Sequence, residues 1–162
     1  MISPEITEFI ANYTTKRRSQ IAFAWDGKYG DNFNDPNIDF RIKVIDAVVE
    51  NPELAPLDLV KDLYIAEIAC ARETKSIYLK VRFLAGILLN RGGSAYLKVF
   101  LEGRIGTMDT FCETAQVKLS QEVATQLAKE CQKSAYSAEN DYDRHLYQKG
   151  REFFEWKAEV AE

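Results

Sequence analysis

The sequence predicts an all-α fold in which about seven helices form an array of antiparallel helical hairpins, with an α-solenoid as one form of it. Apolar residues recur at helical spacing along most of the chain, beginning with Ile6, Phe9, Ile10 and Tyr13. Helix-starting residues precede these periodic stretches, and Gly or Asn-Pro follows them. Because 162 residues is an ordinary length for one domain, we interpret 1–162 as a single helical domain.

The predicted elements follow from these signals in chain order. A Ser-Pro-Glu start predicts a first helix over about 4–24. The stretch 25–37 is rich in glycine, aspartate and asparagine, which predicts a long loop. Asp35 and Pro36 then mark a helix start, with Asp35 as the cap. Further helices are predicted over about 38–49, 56–73, 76–90, 94–103, 107–133 and 138–160.

Two segments also carry a strand-like pattern. Apolar and polar residues alternate over 38–45 and again over 77–84, which is typical of a half-buried strand. In both segments the helical spacing of apolar residues persists longer than the alternation does. We therefore predict helices, and an α+β fold is the alternative if 38–45 and 77–84 are strands.

The same two segments resemble each other at an offset of 39 residues. Segment 38–51 aligns with 77–90, with identical residues at both ends, and Ala47 falls on Gly86. Over 37–104 the pattern resembles two-helix repeats of the HEAT or armadillo kind, whose units run about 40–47 residues. The resemblance implies stacked helical hairpins whose curved surface binds a partner and carries no catalytic residues.

Charge and cysteine content bear on location. The net charge of −4 favours solubility and argues against bulk binding to anionic membranes. The longest apolar run, 83–89, is far shorter than the roughly 20 residues that a membrane span needs. The N-terminus lacks a signal-peptide pattern, and three widely spaced cysteines suit a reducing compartment. We expect a cytoplasmic protein that does not bind membranes.

Catalytic and metal-binding motifs are incomplete. The chain has one histidine, His145, whereas a structural zinc site needs four Cys or His ligands. It contains neither a P-loop nor a Gly-x-Ser-x-Gly motif. We therefore predict no catalytic residue, no metal and no cofactor. A nucleophile pair of Cys112 or Cys131 with His145 stays open, because sequence does not give their distance.

The 25–37 loop is the first candidate binding surface. Its aspartates are the hard oxygen ligands that calcium prefers, but their spacing does not fit an EF-hand. Ordered loops of this length often carry function. We therefore predict a partner-binding loop that uses Trp25, Tyr29, Asp31 and Asp35.

The segment 72–104 is the second candidate. It holds seven basic and two acidic residues in a chain that is otherwise acidic. A line of bases can follow the phosphates of a nucleic acid, and Lys75, Arg82, Arg91 and Lys98 are the candidate contacts. Alternatively, these cations pair with acidic residues of neighbouring helices.

The function that these patterns favour is a non-catalytic protein–protein interaction module, acting as an adaptor, regulator or inhibitor. Its protein partner is not specified by the sequence. Nucleic-acid binding through 72–104 is the first alternative, and a small metal- or cysteine-dependent enzyme is the second.

Overall fold

A computed structural model describes residues 2–28, 34–75, 78 and 80–161. Across these ranges the fold is all-α, with eight α-helices and no strand, so the predicted fold class is confirmed. Residues 38–45 are helical, which excludes the α+β alternative there. Within 77–84, residues 77 and 79 lie outside the described residues, and 81–84 are helical.

Most of the α-helices are joined by short segments, but 26 residues separate the first helix from the second, and some connections contain 3₁₀ helices. The α-helices are α1 (Pro4–Ala11), α2 (Ile38–Glu50), α3 (Leu57–Thr74), α4 (Val81–Gly92), α5 (Leu97–Arg104), α6 (Met108–Ala115), α7 (Gln121–Ser137) and α8 (Asp141–Val160). Described 3₁₀ helices span Thr15–Gln20, Pro52–Leu54 and Gly93–Tyr96.

The first helix is shorter than the predicted 4–24. α1 ends at Ala11, and the chain returns to helical geometry only as the 3₁₀ helix Thr15–Gln20. The break has a tertiary cause, because it lets the buried Tyr13 hydroxyl donate a hydrogen bond to the Asp62 carboxylate of α3 at 2.7 Å. Local periodicity continues through this point, and the buried contact overrides it.

The predicted helix over 107–133 is wrong as a single element, and its division into α6 and α7 gives eight helices instead of seven. Ser120 starts α7, since its Oγ accepts a hydrogen bond from the Val123 N–H at 3.2 Å. In the connecting segment, the Lys118 carbonyl accepts from Asn90 Nδ2 of α4 at 3.0 Å. The break therefore leaves these backbone groups satisfied.

The remaining predicted helices are confirmed with shifted ends. α2 begins at Ile38 and not at Pro36, α4 begins at Val81, and α8 begins at Asp141. The predicted glycine stop of α4 is correct. Gly93, at a φ of +56°, follows the last residue of that helix in a conformation that favours glycine.

The core is organised around α3, as its nearly all-round apolar sequence predicts. α3 contacts α2, α4, α5 and α6, and Leu59, Leu63 and Tyr64 are fully buried. α7 and α8 form a tightly packed antiparallel hairpin, since three residues join them. Phe154 of α8 lies 5.7 Å from Phe100 of α5 between ring centroids, which attaches the hairpin to the core.

A buried ion-pair cluster joins three parts of the chain. Arg41 of α2 is completely buried, and its Nη2 donates to Asp35 Oδ2 at 2.8 Å. Its Nε donates to Glu67 Oε1 of α3 at 2.6 Å. Burial opposes the charge on Arg41, but the hydrogen bonds to the two carboxylates outweigh it and raise the Arg41 pKa.

The cluster also holds the start of the 25–37 loop. Asp35 Oδ1 accepts hydrogen bonds from the backbone N–H groups of Ala24 and Asn37, at 3.3 and 3.1 Å. The Asn37 amide donates to the carbonyls of Ser19 and Ala22. The prediction that Asp35 caps α2 is wrong, because α2 begins at Ile38 with Asn37 at the N-cap position. Asp35 instead accepts bonds from the backbone before the helix and from Arg41.

The resemblance between segments 38–51 and 77–90 has a partial counterpart in the fold. α2 and α3 are joined through a 3₁₀ helix, and so are α4 and α5. The second helices differ, because α3 has 18 residues and α5 has 8. Arg41 is buried, whereas the aligned Lys80 is partly exposed and pairs with Asp46. A HEAT or armadillo origin of 37–104 stays a prediction.

Two helical glycines give a matched test of packing. A Cβ at Gly86 would make ordinary contacts at 3.6 Å or more, whereas one at Gly103 would lie 2.4 Å from the buried Tyr64 hydroxyl. We expect Gly86→Ala to stabilise the protein by up to about 1 kcal/mol through helix propensity. Gly103→Ala should destabilise it by about 1–3 kcal/mol through overpacking. Urea unfolding followed by circular dichroism measures both, and equal effects would contradict the packing of α3 against α5.

The ion-pair cluster predicts a large and pH-dependent loss in Arg41→Met. Two buried carboxylates would lose their partner, so the free energy of unfolding should fall by about 3–5 kcal/mol at pH 7. Lys61→Met is the control, because the side chains of the Lys61–Asp58 pair are 29% and 60% exposed, and a solvent-accessible pair should contribute less than about 1 kcal/mol.

The pH dependence follows from Glu67. Burial raises the Glu67 pKa above its ordinary 4.5, and the variant loses the opposing effect of Arg41. A carboxyl group with a raised folded-state pKa contributes stability at low pH and loses it as the pH rises through that pKa. Unfolding between pH 7 and 5 should therefore show the variant approaching wild type on acidification. A deficit that is independent of pH would contradict this account.

Candidate functional site

The predicted loop surface is only partly described. Tyr29 and Asp31 lie outside the described residues. Trp25 is half-buried, stacks on Phe23 at 6.2 Å between ring centroids, and donates from Nε1 to the Lys28 carbonyl at 2.6 Å. Asp35 is buried in the ion-pair cluster. The structure thus places Trp25 near the surface and Asp35 inside the protein.

The predicted basic residues each have an internal partner. Lys98 pairs with Asp143 at 3.0 Å, and Lys75 Nζ donates to the Arg72 carbonyl at 2.8 Å. Arg82 lies 3.6 Å from the buried Glu113 carboxylate. The fourth, Arg91, donates to the carbonyls of Pro52 and Ala55.

The structure brings two of these four residues together. Arg82 and Arg91 line an open cleft of about 560 Å³ between α2, α4 and the segment after α6. Lys118 lies on the same cleft, and its floor includes Phe83 and Ile87. Lys75 and Lys98 do not line it. Within the basic segment, this cleft is therefore the best candidate for a binding site.

A second surface was not predicted from the sequence. An apolar groove of about 410 Å³ lies where α5 meets α6 and α8. We call it the aromatic groove and define it by Arg104, Ile105, Phe111, Leu146, Phe153 and Trp156. Ile105, Phe111 and Trp156 are each nearly half exposed, and Met108, one helical turn before Phe111, is 75% exposed.

Arg104 lies at the base of the aromatic groove. The residue is 8% exposed, and its guanidinium lies 4.0 Å from the ring centroids of both Phe111 and Phe153. Nη1 donates to the Phe111 carbonyl at 3.0 Å and to Thr114 Oγ1 at 3.1 Å. Burial lowers the Arg104 pKa, although an arginine still carries its charge at neutral pH.

The remaining donors of Arg104 have no acceptor among the described residues. A guanidinium has five N–H donors, and those on Nε and Nη2 form no hydrogen bond or ion pair with the described residues. Among these residues, Glu113 Oε1 is the fully enclosed side-chain polar atom that lacks a hydrogen-bond partner, although Arg82 lies 3.6 Å away. The free Arg104 donors are not enclosed in this way, so they reach solvent through the groove that Arg104 lines.

The electrostatic surroundings of the groove are positive. Lys157 Nζ lies 4.8 Å from the Trp156 ring centroid and forms no ion pair with a described residue. Burial lowers the Lys157 pKa, and repulsion from Arg104 lowers it further. On the rim, Lys149 and Glu152 neutralise each other at 2.8 Å. Arg104 and Lys157 are therefore uncompensated cations beside an apolar surface.

The sequence contains part of the signal for this groove. At the spacing of a single helix over 107–133, Phe111 shares a drifting apolar face with Ala115 and Leu119. The break after α6 frees Phe111 from that face, and Ile105 lies in the turn before α6. The sequence feature that indicates an exposed apolar surface here is Ile105, which lies between Arg104 and Gly106 and outside any helical periodicity.

Within the described ranges, the Asp, Glu, Cys and His side chains form no cluster of three or more that could bind a metal ion. Asp62 accepts from Tyr13, and Glu67 accepts from Arg41. Cys131 is fully buried, and burial raises its pKa to about 12. A thiol with that pKa stays protonated at neutral pH and is a poor nucleophile.

Comparison with known proteins adds no family. No family model, curated protein or solved structure matches this chain. Among the helices of the described part, none combines the length and apolar composition of a membrane span.

Thiol accessibility gives a direct test of this part of the structure. Cys112 is exposed, whereas Cys70 and Cys131 are buried and their pKa values are raised. We expect an aromatic disulfide reagent to modify Cys112 in the native protein and the two other thiols only on unfolding. Cys112→Ser should remove the native reaction. Rapid modification of the variant would contradict the burial of Cys70 in α3 or of Cys131 in α7.

Proposed function

We propose that the protein is a non-catalytic interaction module, an adaptor, regulator or inhibitor, that binds a partner protein through the aromatic groove. The observation that carries the proposal is the clustering of exposed apolar side chains around a concave surface. Ile105, Met108, Phe111 and Trp156 are four of the nine large hydrophobic residues that are exposed in the described part of the chain.

The composition of this surface suits protein recognition. Aromatic residues, methionine and arginine are enriched at protein interfaces, and the residues that dominate binding are often Trp, Tyr and Arg. Exposure of several apolar side chains in one patch to water is energetically unfavourable, and a bound partner would bury them. Single exposed residues such as Leu54 need no such explanation.

The fold supports the same function. The helices surrounding the groove are held from behind by the ring contacts of Phe100, Phe153 and Phe154. A preorganised surface of this kind binds with a smaller entropic cost than a mobile one. A HEAT- or armadillo-like origin would add a family in which partner binding is the usual role.

Nucleic-acid binding through 72–104 is the second candidate, and the Arg82–Arg91 cleft with Lys118 favours it. Its support is smaller, because Lys98 pairs with Asp143 and Arg82 lies beside Glu113. Paired cations gain less from contact with phosphates than free ones do. Binding that weakens steeply with salt would restore this candidate.

An enzyme is the third candidate and has the least support. The buried Cys131 thiol is unsuited to attack a substrate, and Asp62 and Glu67 are engaged in the core. The free thiols of Cys70, Cys112 and Cys131 suit a reducing compartment, and we propose a cytoplasmic location on that basis.

The proposal predicts that one charge placed at the groove abolishes partner capture. Met108→Glu adds an exposed carboxylate at the edge of the groove, so the fold should persist while apolar docking is lost. Leu54→Glu is the matched control, because Leu54 and Met108 are 76% and 75% exposed. The measurement is affinity capture from lysate of the source organism, with and without nuclease.

A protein that survives nuclease, is captured by wild type and Leu54→Glu, and is lost with Met108→Glu is the expected result. Equal capture by both variants would place the partner surface elsewhere. Loss of every partner on nuclease treatment would favour the nucleic-acid candidate.

A further inference from the structure

We infer that the aromatic groove binds an acidic, apolar segment of the partner, in which the side-chain carboxylate of an Asp or Glu residue accepts hydrogen bonds from Arg104. This inference rests on the proposed function and names the chemistry of its partner. Arg104 is nearly buried and has aromatic neighbours, but it has no counter-ion among the described residues.

An anion bound to Arg104 would offset the desolvation cost of its buried charge. Removing a cation from water is costly unless it is paired and hydrogen-bonded. The stacking on Phe111 and Phe153 recovers part of that cost through cation–π attraction, and Nη1 is bonded to Phe111 and Thr114. The donors on Nε and Nη2 remain without an acceptor among the described residues, and Arg104 lines the groove.

The geometry of those donors selects a carboxylate. Nε–H and one N–H of Nη2 lie parallel on the same edge of a guanidinium, which is the fork that the two oxygens of a carboxylate match. Because the ring centroids of Phe111 and Phe153 each lie 4.0 Å from the guanidinium carbon, an anion would approach Arg104 along this free edge. Lys157, which forms no ion pair with a described residue, adds a second positive charge nearby.

The walls of the groove indicate a peptide segment. Exposed apolar groups flank Arg104 on both sides, with Ile105 and Phe111 on one wall and Trp156 on the other. An acidic residue between apolar residues would place its carboxylate on Arg104 and its neighbours on the two walls. A chain terminus would fill one wall only, and a nucleic acid would need more unpaired cations than Arg104 and Lys157 provide.

Selection from a random dodecapeptide phage library tests the inference without knowledge of the partner. Purified wild-type protein is the target, and Met108→Glu protein is used for counter-selection. We expect the selected peptides to share an Asp or Glu flanked by apolar or aromatic residues. For synthetic peptides, replacing that acid by its amide should weaken binding to wild-type protein at least about tenfold, measured by calorimetry.

Protein variants give a second readout. Lys157→Gln lies at the groove edge and should weaken the acidic peptide several-fold while leaving the amide peptide unchanged. Arg104→Lys keeps the charge but removes the fork, so it should reduce the preference for acid over amide. Thermal unfolding of each variant accompanies the binding data, and the peptide comparison on wild-type protein holds even if Arg104→Lys is unstable.

The outcomes separate the two proposals. Apolar peptides that carry no acid, or whose acid and amide forms bind equally, would overturn this inference and leave the proposed function standing. Failure to select any peptide that distinguishes wild type from Met108→Glu would overturn both. Self-association of the free protein that Met108→Glu abolishes would also overturn the inference, because a second copy would then occupy the groove.

Discussion

The ion-pair cluster of Asp35, Arg41 and Glu67 is the interaction on which the N-terminal half of the structure depends. It lies between α2 and α3 and holds the chain before α2 through the backbone bonds that Asp35 accepts. A buried cluster of this kind is weak support for high stability, because desolvation offsets the attraction. It is strong support for a single arrangement, since any other packing would leave charges buried and unpaired.

Helical periodicity was sufficient to predict the fold class, and it failed where tertiary contacts interrupt a helix. α2, α3 and α8 follow from apolar spacing and end signals alone. The end of α1 depends on Tyr13 meeting Asp62, and the break after α6 depends on Asn90 meeting the Lys118 carbonyl. Each contact joins residues far apart in sequence, so a local pattern carries no information about it.

The same reasoning explains what was missed at the candidate site. The charge asymmetry points to 72–104, which includes Arg104, but the pattern predicts a line of cations that contact phosphates or neighbouring acids and not a buried arginine beside aromatic rings. Arg41 lies one turn before Val44 and Ile45, on the buried stripe of α2, which the sequence could have revealed. The spacing of residues in the sequence could not predict that Arg104 contacts Phe111 of α6 and Phe153 of α8. These contacts depend on how three helices are placed relative to one another.

Two buried arginines of this chain differ in how their charge is satisfied. Arg41 has two carboxylates within hydrogen-bonding distance, so its charge is satisfied by the fold itself. Arg104 has aromatic rings, one carbonyl and one hydroxyl, and its remaining donors open onto an apolar groove. Selection for stability alone would favour an apolar residue or an internal acid at position 104, since either removes the cost of an uncompensated cation. Partner binding at the groove, as proposed above, would account for an arginine held at an exposed aromatic surface, because a carboxylate of the partner would compensate its charge.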